Sequence, residues 1–103
     1  MNRESNLPPE CVIRRSGKYV RTKTELARAI KRALASKHIG QRDAARLLDL
    51  TQPKISALIN TKVHGFSLQK LMEILTALDV DVEIVIKKKR SSGRTAKIHI
   101  TAA

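Results

Sequence analysis

Tryptophan is absent from this chain, and the other aromatics occur once each, as Phe66 and Tyr19. Binders of single-stranded nucleic acid stack bases on aromatic side chains, and those platforms are missing here. Cys11 is the only cysteine, which excludes an internal disulfide and the paired thiolates of a structural zinc site. His38, His64 and His99 lie far apart with no HxxxH spacing, so no metal and no other cofactor is expected. The four glycines form no phosphate loop, no nucleophile motif is found, and the nine carboxylates fall mostly on predicted helix surfaces or on a strand. The chain is therefore expected not to be an enzyme. No apolar run approaches the roughly 18 residues of a membrane span. The first residues, MNRESNLPPE, lack the apolar core of a signal peptide. A cytoplasmic location with no membrane partner is the expectation.

What the chain has in excess is positive charge. Lys and Arg number 21 against 9 Asp and Glu, a net charge of +12 on 103 residues, with a pI near 10.6. A solubilising surface needs less than this, and the balance points to a polyanionic partner. Residues 1–23 carry six basic and two acidic groups, 24–78 nine and four, and 79–103 six and three, so the excess belongs to the folded unit as well as to its tails. The length suits one domain with short extensions.

The stretch from Gln41 to Leu58, QRDAARLLDLTQPKISAL, reads as two short helices joined by a tight turn. Ala44, Ala45 and Leu48 share a face of the first, and Ile55, Leu58 and Ile59 share a face of the second. Between them Asp49 tolerates a left-handed backbone, Leu50 can drop into the core, and Thr51 can cap the second helix. Pro53 sits in that helix's first turn, where its missing N–H removes little. This is the pattern of a helix-turn-helix, which lays its second helix in the DNA major groove. An ordinary helical hairpin in a small bundle has the same spacing.

Around this pair the chain divides into a flexible basic N-terminal arm (1–21), a helical domain (22–79) and a C-terminal hairpin (80–103). In the arm, CVIRRSGKYV could be a weak hairpin or a segment that orders on a partner, with Arg14, Arg15, Lys18 and Arg21 able to touch phosphates or simply solvated. A first helix is predicted after Thr22, whose spacing to Glu25 fits a capping box, with Leu26, Ile30, Ala33 and Leu34 as its buried stripe. Gly40 opens the second helix. The third runs to about Asn60, followed by a loop with Gly65 and Phe66 as anchor. Ser67 caps a fourth, in which Leu68, Leu71, Met72, Leu75 and Leu78 recur at helical spacing. At Val80 the period falls to two: Val80, Val82, Ile84 and Ile86 alternate as in a half-buried strand, and AKIHIT repeats the alternation. Two strands alone are marginal in water. The hairpin therefore needs its own helical domain or a second copy, and a homodimer sealed partly by it is expected.

The succession ELARAIKRAL, the QRDAARLLDLTQPKISALIN pair, GFSLQKLMEILTALD and VDVEIVI resembles the XRE/Cro-type helix-turn-helix proteins, and more narrowly their HigA-like antitoxin branch. The resemblance covers about two-thirds of the chain. It implies a mainly α fold: a four- or five-helix, lambda-repressor-like helix-turn-helix domain followed by a C-terminal β-strand or hairpin. It also implies a dimeric repressor of its own operon whose partners are double-stranded operator DNA, palindromic in such families, and a RelE-like ribonuclease toxin. The chain departs from the family pattern at Asp49, where glycine is usual, at Gly40, where Thr or Ser is usual, and at His38, often glycine. Its +12 charge would not attract a basic toxin, so toxin binding would fall to the acidic cluster Asp79, Asp81 and Glu83 or to an apolar patch.

Projected at about 100° per residue, the third helix turns Pro53, Ser56, Ala57 and Asn60 toward the groove, flanked by Gln52 and Lys54. The expected base contacts are Gln52, Pro53, Lys54, Ser56 and Ala57. The Gln52 amide can pair bidentately with adenine, Lys54 can reach guanine or a phosphate, and Pro53 and Ala57 suit a thymine methyl. The expected phosphate contacts are Gln41, Arg42, Thr51, Asn60 and Lys62, with Gln41 beside the free N–H groups that open its helix. So few long polar readers imply that DNA shape carries much of the specificity. Three other readings are open: a phage-type or stand-alone repressor with no toxin, a protein-interaction module with the helix-turn-helix as scaffold, and a non-specific nucleoid protein.

Overall fold

The computed structural model describes residues 19–88 with 98, 100 and 101. Most of the N-terminal arm and the loop and second-strand positions 89–97 and 99 lie outside the described residues. Among the described residues four helices follow one another: α1 (Val20–Ser36), α2 (Gln41–Leu48), α3 (Gln52–Ile59) and α4 (Leu68–Ala77). Helix α1 is the spine, packed against both α3 and α4, while α2 rests on α3. Its stripe Leu26, Ala27, Ile30, Ala33 and Leu34 is buried against Ala44, Leu48, Ile55, Leu58, Val63, Phe66, Leu71, Ile74, Leu75 and Leu78. Ile74, which the fourth helix's periodicity left out, belongs to this core; Leu68 and Met72 only edge it.

Helix α1 starts earlier than its sequence predicted. It begins at Val20 and has no side-chain cap; Tyr19 accepts from the Lys23 N–H through its carbonyl, at 2.8 Å. Thr22 is buried inside the helix, four residues before Leu26 and eight before Ile30, so it extends the apolar stripe. Glu25 accordingly makes an exposed ion pair with Arg28 at 2.9 Å instead of closing a capping box. Val20 and Arg21, read from sequence as part of the arm, are helical.

All four helices end in the same way. A residue with positive φ follows each: His38 (56°), Asp49 (53°), Thr61 (55°) and Asp79 (63°). The next N–H then reaches back five residues: Ile39 to Leu34, Leu50 to Ala45, Lys62 to Ala57 and Val80 to Leu75, at 2.8–3.0 Å. These are Schellman ends, and none uses the glycine that normally relieves the left-handed turn. Ile39, Leu50 and Val80 add the apolar contact that accompanies the motif, since each packs against the core. At the end of α3 that place is taken by the exposed Lys62.

The expected C-terminal strand is not formed among the described residues. Val80 and Val82 lie against the core, as does Ile100. Ile84 and Ile86, which share their face, are 72% and 93% exposed. The core surface that could cover this alternating face ends at Val82, and among the described residues no neighbouring segment supplies the ladder of backbone bonds that would define a strand.

Candidate nucleic-acid interface

Helices α2 and α3 form the helix-turn-helix that the sequence pattern predicted. Asp49 takes the left-handed conformation (φ 53°, ψ 47°) that redirects the chain, and Leu50 is half-buried against the core. Thr51 is extended (φ −73°, ψ 156°), and its hydroxyl accepts from the Lys54 N–H at 3.3 Å. The hydroxyl proton is left free, so the cap can still donate to a phosphate, as its expected role requires. Ile55 and Leu58 are fully buried and fix the rotation of α3 about its axis. Pro53 occupies the first turn, where one N–H fewer is left for a cap or a ligand to satisfy.

That rotation leaves Gln52, Pro53, Lys54 and Asn60 exposed, together with Thr51 in the turn and Lys62 beyond the helix. Gln41 and Arg42 are exposed at the start of α2, whose cap, Gly40, has no side chain to offer its N–H groups. The first turn of α2 is thus open to an anion, although Asp43 in the same turn opposes one. Two of the expected base contacts sit lower in the surface than the projection implied. Ser56 is half-buried because the Asn60 amide folds back over it, donating to the Ser56 carbonyl at 3.0 Å and lying 3.5 Å from its Oγ. Ala57 is half-buried against the core, and its carbonyl accepts from the Lys62 N–H where the chain turns back. The outer face of α3 therefore presents its long polar groups at the N-terminal end and small, recessed ones farther along.

Lys54 is engaged in a way that its spacing did not reveal. Its Nζ lies 5.6 Å from the centre of the Phe66 ring, within cation–π range. Phe66 itself is buried beneath the loop that follows α3, so the only phenylalanine both anchors that loop and holds a cation at the edge of α3. The Asn60 amide is bonded to its own helix at the Ser56 carbonyl and Oγ, so a phosphate has to compete with those bonds for it. Among the described residues no group of three or more His, Cys, Asp or Glu could hold a metal ion. Among them too, no helix is long and apolar enough to cross a membrane.

Comparison with known proteins agrees with this geometry. A family model described as a helix-turn-helix domain matches residues 17–87. A solved structure whose name assigns it to the XRE family of transcriptional regulators is 45% identical, with a TM-score of 0.77 over 84% of this chain and 97% of its own. No curated protein matches significantly.

Proposed function

Since the chain belongs to the XRE family of helix-turn-helix transcriptional regulators, we propose that it is a sequence-specific, homodimeric repressor acting in the cytoplasm as the antitoxin of a type II toxin–antitoxin pair. It represses its own operon and neutralises a RelE-like ribonuclease toxin. The observation that carries the repressor reading is the exposed face of α3. A capped helix with Ile55 and Leu58 buried presents Gln52 and Pro53 outward, with Lys54 beside them, and Gln41, Arg42, Thr51, Asn60 and Lys62 are exposed around it. Gln52 reads a base edge, and the cations and the open first turn of α2 set the register on the backbone.

The antitoxin role rests on the resemblance of KISALIN, GFSL and LDVDVEIVI to the HigA-like branch. It is supported by Asp79, Asp81 and Glu83, all exposed on one short segment and able to meet a basic ribonuclease. The net charge of +12 favours a second reading, a stand-alone repressor with no toxin, because a basic toxin gains nothing from the overall field.

A reporter gene driven by the DNA immediately upstream of the chain's own gene tests the repressor reading. Expression of the protein lowers the reporter, and Gln52→Ala relieves it; an unaffected reporter would overturn the reading. Co-purification with the product of the adjacent gene separates antitoxin from stand-alone repressor.

A further inference from the structure

Ile84, Val85 and Ile86 form an apolar run at 72%, 62% and 93% exposure, flanked by the exposed Glu83 and Lys87. The helical core does not cover this run, yet its even positions continue the line of Val80 and Val82, which do rest on the core. We propose that residues 83–87 pair with the same residues of a second copy as an antiparallel two-stranded ladder centred on Val85. The inference rests on the dimer reading above and supplies the register of the interface.

The sequence is self-complementary in that register, and the registers one residue to either side of it are not. With Val85 opposite Val85, Ile84 faces Ile86 of the second copy and Glu83 faces its Lys87. Directly opposed side chains of an antiparallel pair share a face of the ladder. One face then carries two Glu–Lys pairs around a Val–Val pair, and the other carries four isoleucines. Shifting by one residue sets Glu83 against Ile86, or against Lys88 with Ile84 facing Lys87. A parallel in-register pairing sets Glu83 on Glu83 and Lys87 on Lys87, which is destabilising. The antiparallel arrangement also has a two-fold axis through Val85, as a dimer with one isologous interface requires. The isoleucine face is continuous with Val80 and Val82, so it closes over the helical domains that those residues already touch.

The test uses the full chain carrying Cys11→Ser and Val85→Cys. Opposed Cα atoms of an antiparallel pair lie about 4.5–5.5 Å apart, inside disulfide range, so mild oxidation gives a covalent dimer. Glu83→Cys in the same background does not, since its two copies stand four residues apart along the ladder. By sedimentation, Glu83→Lys or Lys87→Glu alone raises the dimer dissociation constant about fivefold or more, and the double exchange restores it. A dimer indifferent to these exchanges and unlinked at Val85 would overturn the register while leaving the dimer reading intact. A wild-type chain that stays monomeric would overturn both, as pairing of 83–87 with residues 96–101 of the same chain requires.

Discussion

Among the described residues Thr61 is the sharpest local conflict between residue and backbone. It stands at φ 55° after α3, a region that β-branched side chains avoid because Cβ crowds the neighbouring carbonyl. The position is imposed by the Schellman bonds on either side, Thr61 N–H to the Leu58 carbonyl at 3.0 Å and Lys62 N–H to the Ala57 carbonyl at 2.8 Å. Thr61→Gly removes a left-handed penalty of about 1–2 kcal/mol. Against this, glycine gains freedom in the unfolded chain worth about 0.5–1 kcal/mol. The bond that Thr61 Oγ1 donates to the Asn60 carbonyl, 2.7 Å long, is exposed and exchangeable for water, so its loss costs little. At the midpoints of these ranges the net gain is about 0.75 kcal/mol, which for a domain of this size raises Tm by about 3–6 °C. Thermal unfolding followed by helical circular dichroism reads it directly. Asp49→Gly, at the same place in the motif, gains less, because aspartate tolerates that backbone. A Tm for Thr61→Gly equal to or below the wild type would refute the strain argument.

Other substitutions probe the frame and the interface. Ile55→Ala or Leu58→Ala, at fully buried positions of α3, costs about 2–5 kcal/mol and shows in urea unfolding. Thr51→Ala removes the hydroxyl that caps α3 and costs about 1 kcal/mol, whereas Thr51→Ser retains most of it. Gln52→Ala lowers discrimination between specific and scrambled DNA by about 1–3 kcal/mol. Arg42→Ala or Lys62→Ala weakens binding to both DNAs alike and lowers the salt slope by about one, measured by fluorescence anisotropy.

The helical frame was legible because each element announces itself locally. Periodicity placed the buried faces of α2 and α3, and Thr51 and Ser67 cap α3 and α4 through their hydroxyls as expected. Asp49 and His38 take the left-handed turns that their departure from glycine had raised. Tertiary packing overrode local chemistry at Thr22, which reads as a cap but fills the stripe of α1. The partial burial of Ser56 and Ala57 was not legible, because Asn60 folds back over the one and the core reaches round to the other, neither of which the helical projection includes. Nor could spacing show that Lys54 meets Phe66 across the loop. The strand fails to form among the described residues for a different reason: alternation specifies a face, while a ladder also needs a partner.

Binding to the DNA just upstream of the chain's own gene, against scrambled DNA of equal length over a salt series, tests the central claim most directly. A recognition helix seated as α3 is predicts own-site affinity about 10³-fold or more above the scrambled DNA at physiological salt. Equal affinities that fall together as salt rises would leave counterion release by a +12 protein as the whole of its DNA binding, and would contradict the account.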